Sequence, residues 1–340
     1  MRTAQGSPME VLCVTGVATS RLSGHHGCSR IHGTALLCPG RGPPPGRPDP
    51  GPDPAVWQQY HLPGNNLVTN QKKGEQEETM KTPLTRVEIL SIYKVHGERV
   101  LLPERMALAP PDVREAIRGL AGDLRKAGGR LILSDLFRSH DMQLQAHLDW
   151  KSGKKKAYSP PPGGSMHEAG RAFDLSLRDL RIPLAEFWEM AERRGVFPII
   201  GAPDRRKSEA WHFDCPGSHR RVADYYRAGR GDNMPPYKAM AVSAILAIGV
   251  RVDAFGDNQD AARLQASLIR LGYELGNIDG RIGRRTREAM EQAEIDIREP
   301  ALAVARAEDL LQQRFAGEYR ESSPMEEDLF DFLVPPHVLA

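Results

Sequence analysis

Apolar residues at Val113, Ile117, Leu120 and Leu124 recur every three or four positions, which predicts a helix over 111–127. Proline opens it and Gly128-Gly129 stops it. The run Leu131-Ile132-Leu133 follows as a short buried strand. A second helix is predicted over 141–150, ahead of a basic loop at 151–156. A third covers 183–194, with Leu184, Phe187, Trp188 and Ala191 on one side and Gly195 closing it. Strand-like stretches at 171–177, 196–200 and 210–214 supply a sheet. Helices and short strands mix without a repeating strand–helix rhythm. The pattern therefore predicts an α+β domain, a small mixed sheet with flanking helices.

Beyond this region the texture turns helical. The stretch 232–236 (DNMPP) reads as a linker, and 237 to about 315 is helix-rich. Leu264, Leu268 and Leu271 lie at helical spacing and Gly272 closes that helix. Asp279-Gly280 makes a turn, and another helix begins before Thr286. From Glu318 onward the chain reads as an acidic, solvated, weakly ordered end. Residues 1–80 lack any such pattern. Half of the residues at 39–54 are proline, set among Gly, Arg and Asp, a composition that buries too little apolar surface to offset ordering entropy. The start lacks the sustained apolar region and clean cleavage site of a secretory signal, and Met80 offers an alternative start. The expected divisions are an extension at 1–80, an α+β domain at 81–230, a linker and helix at 231–258, a helical module at 259–315 and a tail at 316–340.

Composition narrows the function classes. Across 340 residues, 46 Lys and Arg face 44 Asp and Glu, for a formal net charge of +2. That balance gives no bulk electrostatic reason to bind nucleic acid or an anionic membrane. Mean hydropathy is −0.47. The longest apolar run, 239–250, is broken by Ser243 and falls well short of the roughly 18–20 residues that span a bilayer. Of four cysteines, Cys13, Cys28 and Cys38 lie in the N-terminal stretch and Cys215 stands alone. No CxxC spacing exists, so a thiolate zinc knuckle is excluded. Any metal must be held by histidines and carboxylates.

Two of the eleven histidines stand in informative surroundings. His167 sits in SMHEAGRAFD, where Phe173, Leu175 and Leu177 point one way along a strand and Ala172, Asp174 and Ser176 the other. A core-facing apolar row thus puts Asp174 on the opposite face. Small residues at Ala169, Gly170 and Ala172 let the chain turn tightly enough for His167 to approach it. The second, His212, lies in EAWHFD, where Trp211 and Phe213 would pack inward and leave His212 on the other face. Two imidazoles, one carboxylate and a fourth position for water form a catalytic zinc set. A free carboxylate is then needed to take and deliver a proton, and Glu209 is the candidate. Positions 209 and 212 would face opposite ways in a regular strand, so Glu209 must sit at a bend before it. Asp214 shares the face of His212 and is a rival, as a ligand or as a partner behind it.

These motifs closely resemble those of the zinc D-alanyl-D-alanine carboxypeptidase and dipeptidase family, which shares its α+β fold with the hedgehog signalling domain. SMHEAGRAFD matches SxHxxGxAxD at every fixed position, and EAWH matches ExWH. The resemblance implies Zn2+ ligands at His167, Asp174 and His212 and a general base at Glu209. The segment SDLFRS at 134–139, with Gln143, is similar to the family's SGYRS…Q, which implies that Arg138 contacts substrate and stabilises charge on the scissile carbonyl. Here Asp135-Leu136-Phe137 replace the usual Gly and Tyr. Ser165 is the other implied substrate contact.

Residues 260–290 contain LQASLIRLGY and IDGRIGRRT, which resemble the hallmark of the peptidoglycan-binding domain type 1, a small all-α three-helix module. Met290-Glu291-Gln292-Ala293 departs from its usual ending. Together the two resemblances imply a zinc metallopeptidase, D-alanyl-D-alanine carboxypeptidase-like, that hydrolyses the peptidoglycan stem peptide at a bond to a D-amino acid. A phage-type endolysin endopeptidase and a non-catalytic wall-binding protein are the rivals. A monomer in the cell envelope, with peptidoglycan as its partner, is expected.

Overall fold

The computed structural model describes residues 81–295 and 300–320, all within one compact unit. The extension expected at 1–80 and residues 321–340 of the expected tail lie outside the described residues. The chain opens with four short strands, β1 (Thr85–Arg86), β2 (Leu90–Val95), β3 (Glu98–Leu101) and β4 (Leu108–Ala109). No sequence pattern predicts these strands, which are two to six residues long. The β2–β3 hairpin turns on His96-Gly97, with φ of 50° and 90°, the two positive values that a tight two-residue hairpin requires.

Helix α1 (Pro111–Lys126) follows, then β5 (Leu133–Asp135), α2 (His140–Lys151), β6 (Ala172–Leu175), α3 (Leu184–Arg193), β7 (Phe197–Pro198) and β8 (His212–Asp214). Helices α1 and α3 stand where their apolar stripes predict them, and α2 covers the stretch expected at 141–150 although Gln143 is the one side chain it buries. The strand expected at 131–133 is displaced by two residues, and that at 196–200 shrinks to two. Six strands form one mixed sheet in the order β3-β2-β5-β6-β8-β7, with β2 and β5 parallel and the other pairs antiparallel. One face is apolar. Phe173 stacks on Phe213 at 6.1 Å, and Phe187 of α3 meets Phe213 edge-on at 5.0 Å. Leu120 and Leu124 of α1 complete that core.

The remaining helices are α4 (Arg220–Arg227), α5 (Pro236–Ala247), α6 (Gln259–Leu271), α7 (Arg284–Gln292) and α8 (Pro300–Arg314). Their apolar side chains, Val242, Ile245 and Leu268 among them, share a second core with Met166, Ala169 and Ala172 from the turn and strand around His167. The stretch at 232–236 is pinned rather than free. The Asp232 amide donates to Asn277 at 2.8 Å, and the Asn233 side chain donates to the carbonyl of Ile278 at 2.9 Å. The tail also differs from expectation where it is described. Ala316–Glu318 forms a 3-10 turn, and Glu318 is buried. Its carboxylate sits 2.6 Å from Arg270 and 3.5 Å from Arg171, so an acidic residue read as solvated is a counter-ion to two buried guanidiniums. No helix among the described residues is long and apolar enough to cross a membrane.

Candidate metal centre

Strand register assembles the centre. β6 pairs with β8 so that Asp174 lies opposite His212, and with β5 so that Asp174 lies opposite Asp135. Directly opposite residues share a sheet face, so one row across three strands carries Asp135, Asp174 and His212 toward the same side. His167 reaches that row from the 3-10 turn Met166–Ala169. Ser165 caps the turn by accepting the His167 amide at 3.3 Å, and Glu168 accepts the amides of Gly163, Gly164 and Ser165. Gly170 ends the turn at φ 63°. A Cβ there would stand 2.7 Å from the carbonyl oxygen of Leu108, so strand β4 packs where only glycine fits.

His167, Asp174 and His212 offer one ligand atom each, all within 4.8 Å of one another. The ring nitrogens that face away fix the tautomers. His167 Nδ1 donates to the carbonyl of Leu136 at 2.7 Å, which leaves a lone pair on Nε2. His212 Nε2 donates to Asp214 at 3.1 Å, so its Nδ1 is the inward atom. That Nδ1 lies 2.9 Å from Asp174 Oδ1 and 3.3 Å from His167 Nε2. A proton there is shared between two acceptors, whereas a divalent cation in its place meets three lone pairs at once. A tetrahedral ion about 2.0–2.1 Å from its ligands separates them by roughly 3.3–3.4 Å, which the three atoms approximate. The donor set therefore fits zinc. Asp214, the rival ligand, stands behind His212 and orients it, and Tyr237 of α5 donates to the same carboxylate at 3.2 Å.

Electrostatics follow from burial against pairing. Burial alone would raise the pKa of Asp174, but His167 and His212 outweigh it and hold the carboxyl well below the usual range. Burial alone would lower that of His212, but its hydrogen bonds to Asp174 and Asp214 push it up to about 10. Glu209 takes φ 65° in the turn before β8, and its carbonyl accepts the His212 amide at 3.0 Å. This left-handed residue is the bend that the sequence required, a conformation costing about 1–3 kcal/mol outside glycine. Burial and the charge of Asp174 raise its pKa.

Arg138 is buried and clamped. Its Nε donates to Asp135 at 2.6 Å, one terminal nitrogen to Gln143 at 3.2 Å and the other to Asp174 at 3.4 Å. Asp135, one of the departures from the family segment, also accepts the Leu136 amide at 2.9 Å. Trp211, expected to pack inward, is half-buried, while Phe213 is buried. Lys155, read only as part of a basic loop, is half-buried between exposed Lys154 and Lys156. Burial and the charge of Arg138 lower its pKa, and it feels Asp174, Asp135 and Glu209. Its ammonium thus lies within electrostatic range of the centre.

No family model and no curated protein matches the chain. Among solved structures, the LdcB LD-carboxypeptidase is similar over 40% of this chain and 69% of that one, with a TM-score of 0.30 and 17% identity. The D,D-pentapeptidase VanY of a VanB-type vancomycin resistance cassette, solved with Zn(II), is similar over 45% of this chain and 89% of that one, with a TM-score of 0.26 and 16% identity.

In the helical module, the hallmark residues bind one another. Buried Gln265 donates to Asp279 at 2.8 Å and to the carbonyl of Arg281 at 3.0 Å, and it accepts the amides of Asp279 and Gly280 at 2.9 Å. Thr286 lies 3.4 Å away. The LQ and DG elements of the motif are thus one internal clasp between α6 and the turn before α7.

Proposed function

We propose that this protein is a zinc-dependent peptidase acting on the peptidoglycan stem peptide at a bond to a D-amino acid. The observation that carries the reading is the convergence of three ligand atoms, two of them on imidazoles whose outward hydrogen bonds fix the tautomer, beside Glu209, a carboxylate with a raised pKa. Bound zinc would supply a Lewis acid and an activated water. Glu209 takes a proton at its carboxylate and returns it to the leaving amine. Arg138, held in place by Asp135 and Gln143, presents fixed positive charge to the oxygen that becomes negative, and its burial makes that charge effective. Ser165 holds the turn through its hydroxyl.

A wall-binding protein without turnover has no use for Glu209 and a clamped arginine together. Between exo- and endopeptidase, Lys155 favours the first. Arg138 already has carboxylate partners, whereas no ion pair engages Lys155 among the described residues, leaving an ammonium for the terminal carboxylate of a substrate. Wall attachment through the helical module rests on its motif.

The test is mass spectrometry of purified muropeptides incubated with the full chain, with zinc content measured in parallel. Loss of a terminal D-amino acid by the wild type, absent in His212→Ala together with the metal, is the expected result. Stoichiometric zinc in His212→Ala would overturn the ligand set. Separated crosslinks without terminal trimming would make the enzyme an endopeptidase.

A further inference from the structure

A cleft of about 560 Å³ opens where α4 meets the end of α8, lined in part by Gly217, Arg220, Arg221, Arg314 and Phe315. It begins three residues beyond β8. Its acidic lining residues are already engaged. Asp112 holds Arg171 at 2.9 and 3.0 Å, Glu318 holds Arg270, and Asp224 pairs with Arg227. The arginines are not so balanced. None of Arg220, Arg221 and Arg314 makes an ion pair among the described residues, and all three are exposed.

Two of these cations crowd one ring. The guanidinium carbons of Arg221 and Arg314 each lie 5.7 Å from the centroid of Phe315. Burial and the charge of Arg314 lower the pKa of Arg221, the mark of like charges held close. Each donates one hydrogen bond to the last carbonyls of α6, Arg221 to Arg270 at 2.7 Å and Arg314 to Leu271. A guanidinium has five N–H donors, so those bonds anchor the groups and leave the rest of each fork free. Arg220 lies 4.1 Å over the ring of Phe197. The result is a recess with anchored, mutually repelling guanidiniums around an aromatic face. An oxyanion relieves that repulsion through paired hydrogen bonds, and the ring accepts the apolar face of whatever carries it.

We propose that this cleft is a second binding site, separate from the metal centre, for an oxyanion, carboxylate or phosphate, borne on a group with an apolar face. The carboxylate of a wall sugar and the phosphate of an anionic polymer share this chemistry. Only the first depends on the peptidase reading.

The experiment is calorimetric titration of the full chain with inorganic phosphate, with N-acetylmuramic acid and with neutral N-acetylglucosamine. Saturable binding of at least one anion is expected, weakened at least tenfold in Arg221→Met and in Arg314→Met and retained in His167→Ala. The tighter anion identifies the source. Because both arginines also cap α6, the wild type is tested as well by phenylglyoxal labelling, where the bound anion should protect Arg221 and Arg314. No saturable anion binding, equal affinity for the neutral sugar, undiminished affinity in the folded variants, or labelling unaffected by the anion would each overturn the proposal. Muropeptide hydrolysis measured alongside separates this outcome from failure of the peptidase reading.

Discussion

Replacing Glu318 tests whether the 316–320 segment is an integral part of the folded body. Its carboxylate accepts the Ser218 amide at 2.6 Å, the Ser218 hydroxyl at 3.0 Å and Arg270 at 2.6 Å, with Arg171 at 3.5 Å. Arg171 keeps Asp112 when Glu318 is lost. Arg270 keeps the Ser218 and Tyr319 hydroxyls, at 2.8 and 3.4 Å, and the field of Glu308, but loses the carboxylate that pairs with it at 2.6 Å. Breaking one side of such a pair costs about 3–5 kcal/mol. Glu318→Gln retains shape and an acceptor, so the lower end, about 3 kcal/mol, is expected, and Glu318→Ala should approach the upper. At roughly 2–4 °C per kcal/mol for a body of this size, the glutamine variant should melt about 6–12 °C lower. Calorimetry and urea denaturation measure both. The double variant Glu318→Leu/Arg270→Met, which removes the charges together, should recover most of the loss. A glutamine variant within about 1 kcal/mol of wild type would refute the clasp. The pairing also lowers the pKa of Glu318 against its burial. Its contribution is therefore present above the ordinary glutamate range and lost as pH falls through the depressed value.

Glu209→Gln should keep zinc and lose about 10²–10⁴-fold in kcat/KM; with the base pKa raised, the wild-type acid limb should lie above an ordinary glutamate and vanish in the variant, and an unchanged limb would move the base elsewhere. Asp214→Asn should weaken zinc affinity about 10–100-fold, the range for partners behind a metal-bound histidine, with Tyr237→Phe smaller, both read by competition with a chelator. Buried His219, bonded to Ser243 at 2.9 Å, has its pKa held well below normal by burial, Arg270 and Arg171, so stability should fall as pH drops below about 6.5, by up to about 1.4 kcal/mol per unit; His219→Gln should flatten that dependence in melts from pH 7 to 5. Lys155→Met should raise KM for peptides ending in a free carboxylate about tenfold or more and leave the C-terminal amides unchanged, and equal effects on both would remove its assigned role.

Local patterns determined a good deal by themselves. The stripe from Val113 to Leu124 and the stop at Gly128 specify α1 because a helix needs one apolar face and an end. Alternation around Phe173 places Asp174 off the core because side chains in a strand reverse at every residue. The spacing of SMHEAGRAFD and EAWH likewise nominates His167, Asp174 and His212, whose ligand atoms do converge. Tertiary structure decided what depends on long-range partners. Only the pairing of β6 with β8 in one register shows that Asp214 bonds the outward nitrogen of His212 and stands outside the His167, Asp174 and His212 cluster. Glu209 takes a left-handed backbone in the turn before β8, which no side-chain pattern encodes. Lys155 was indistinguishable from its neighbours until the loop folded one lysine of three inward. Glu318 reads as solvated in an acidic tail because nothing local reveals Arg171 and Arg270, 147 and 48 positions earlier. Burial and ion pairing belong to the assembled fold, and they turn an apparently loose end into its counter-ion.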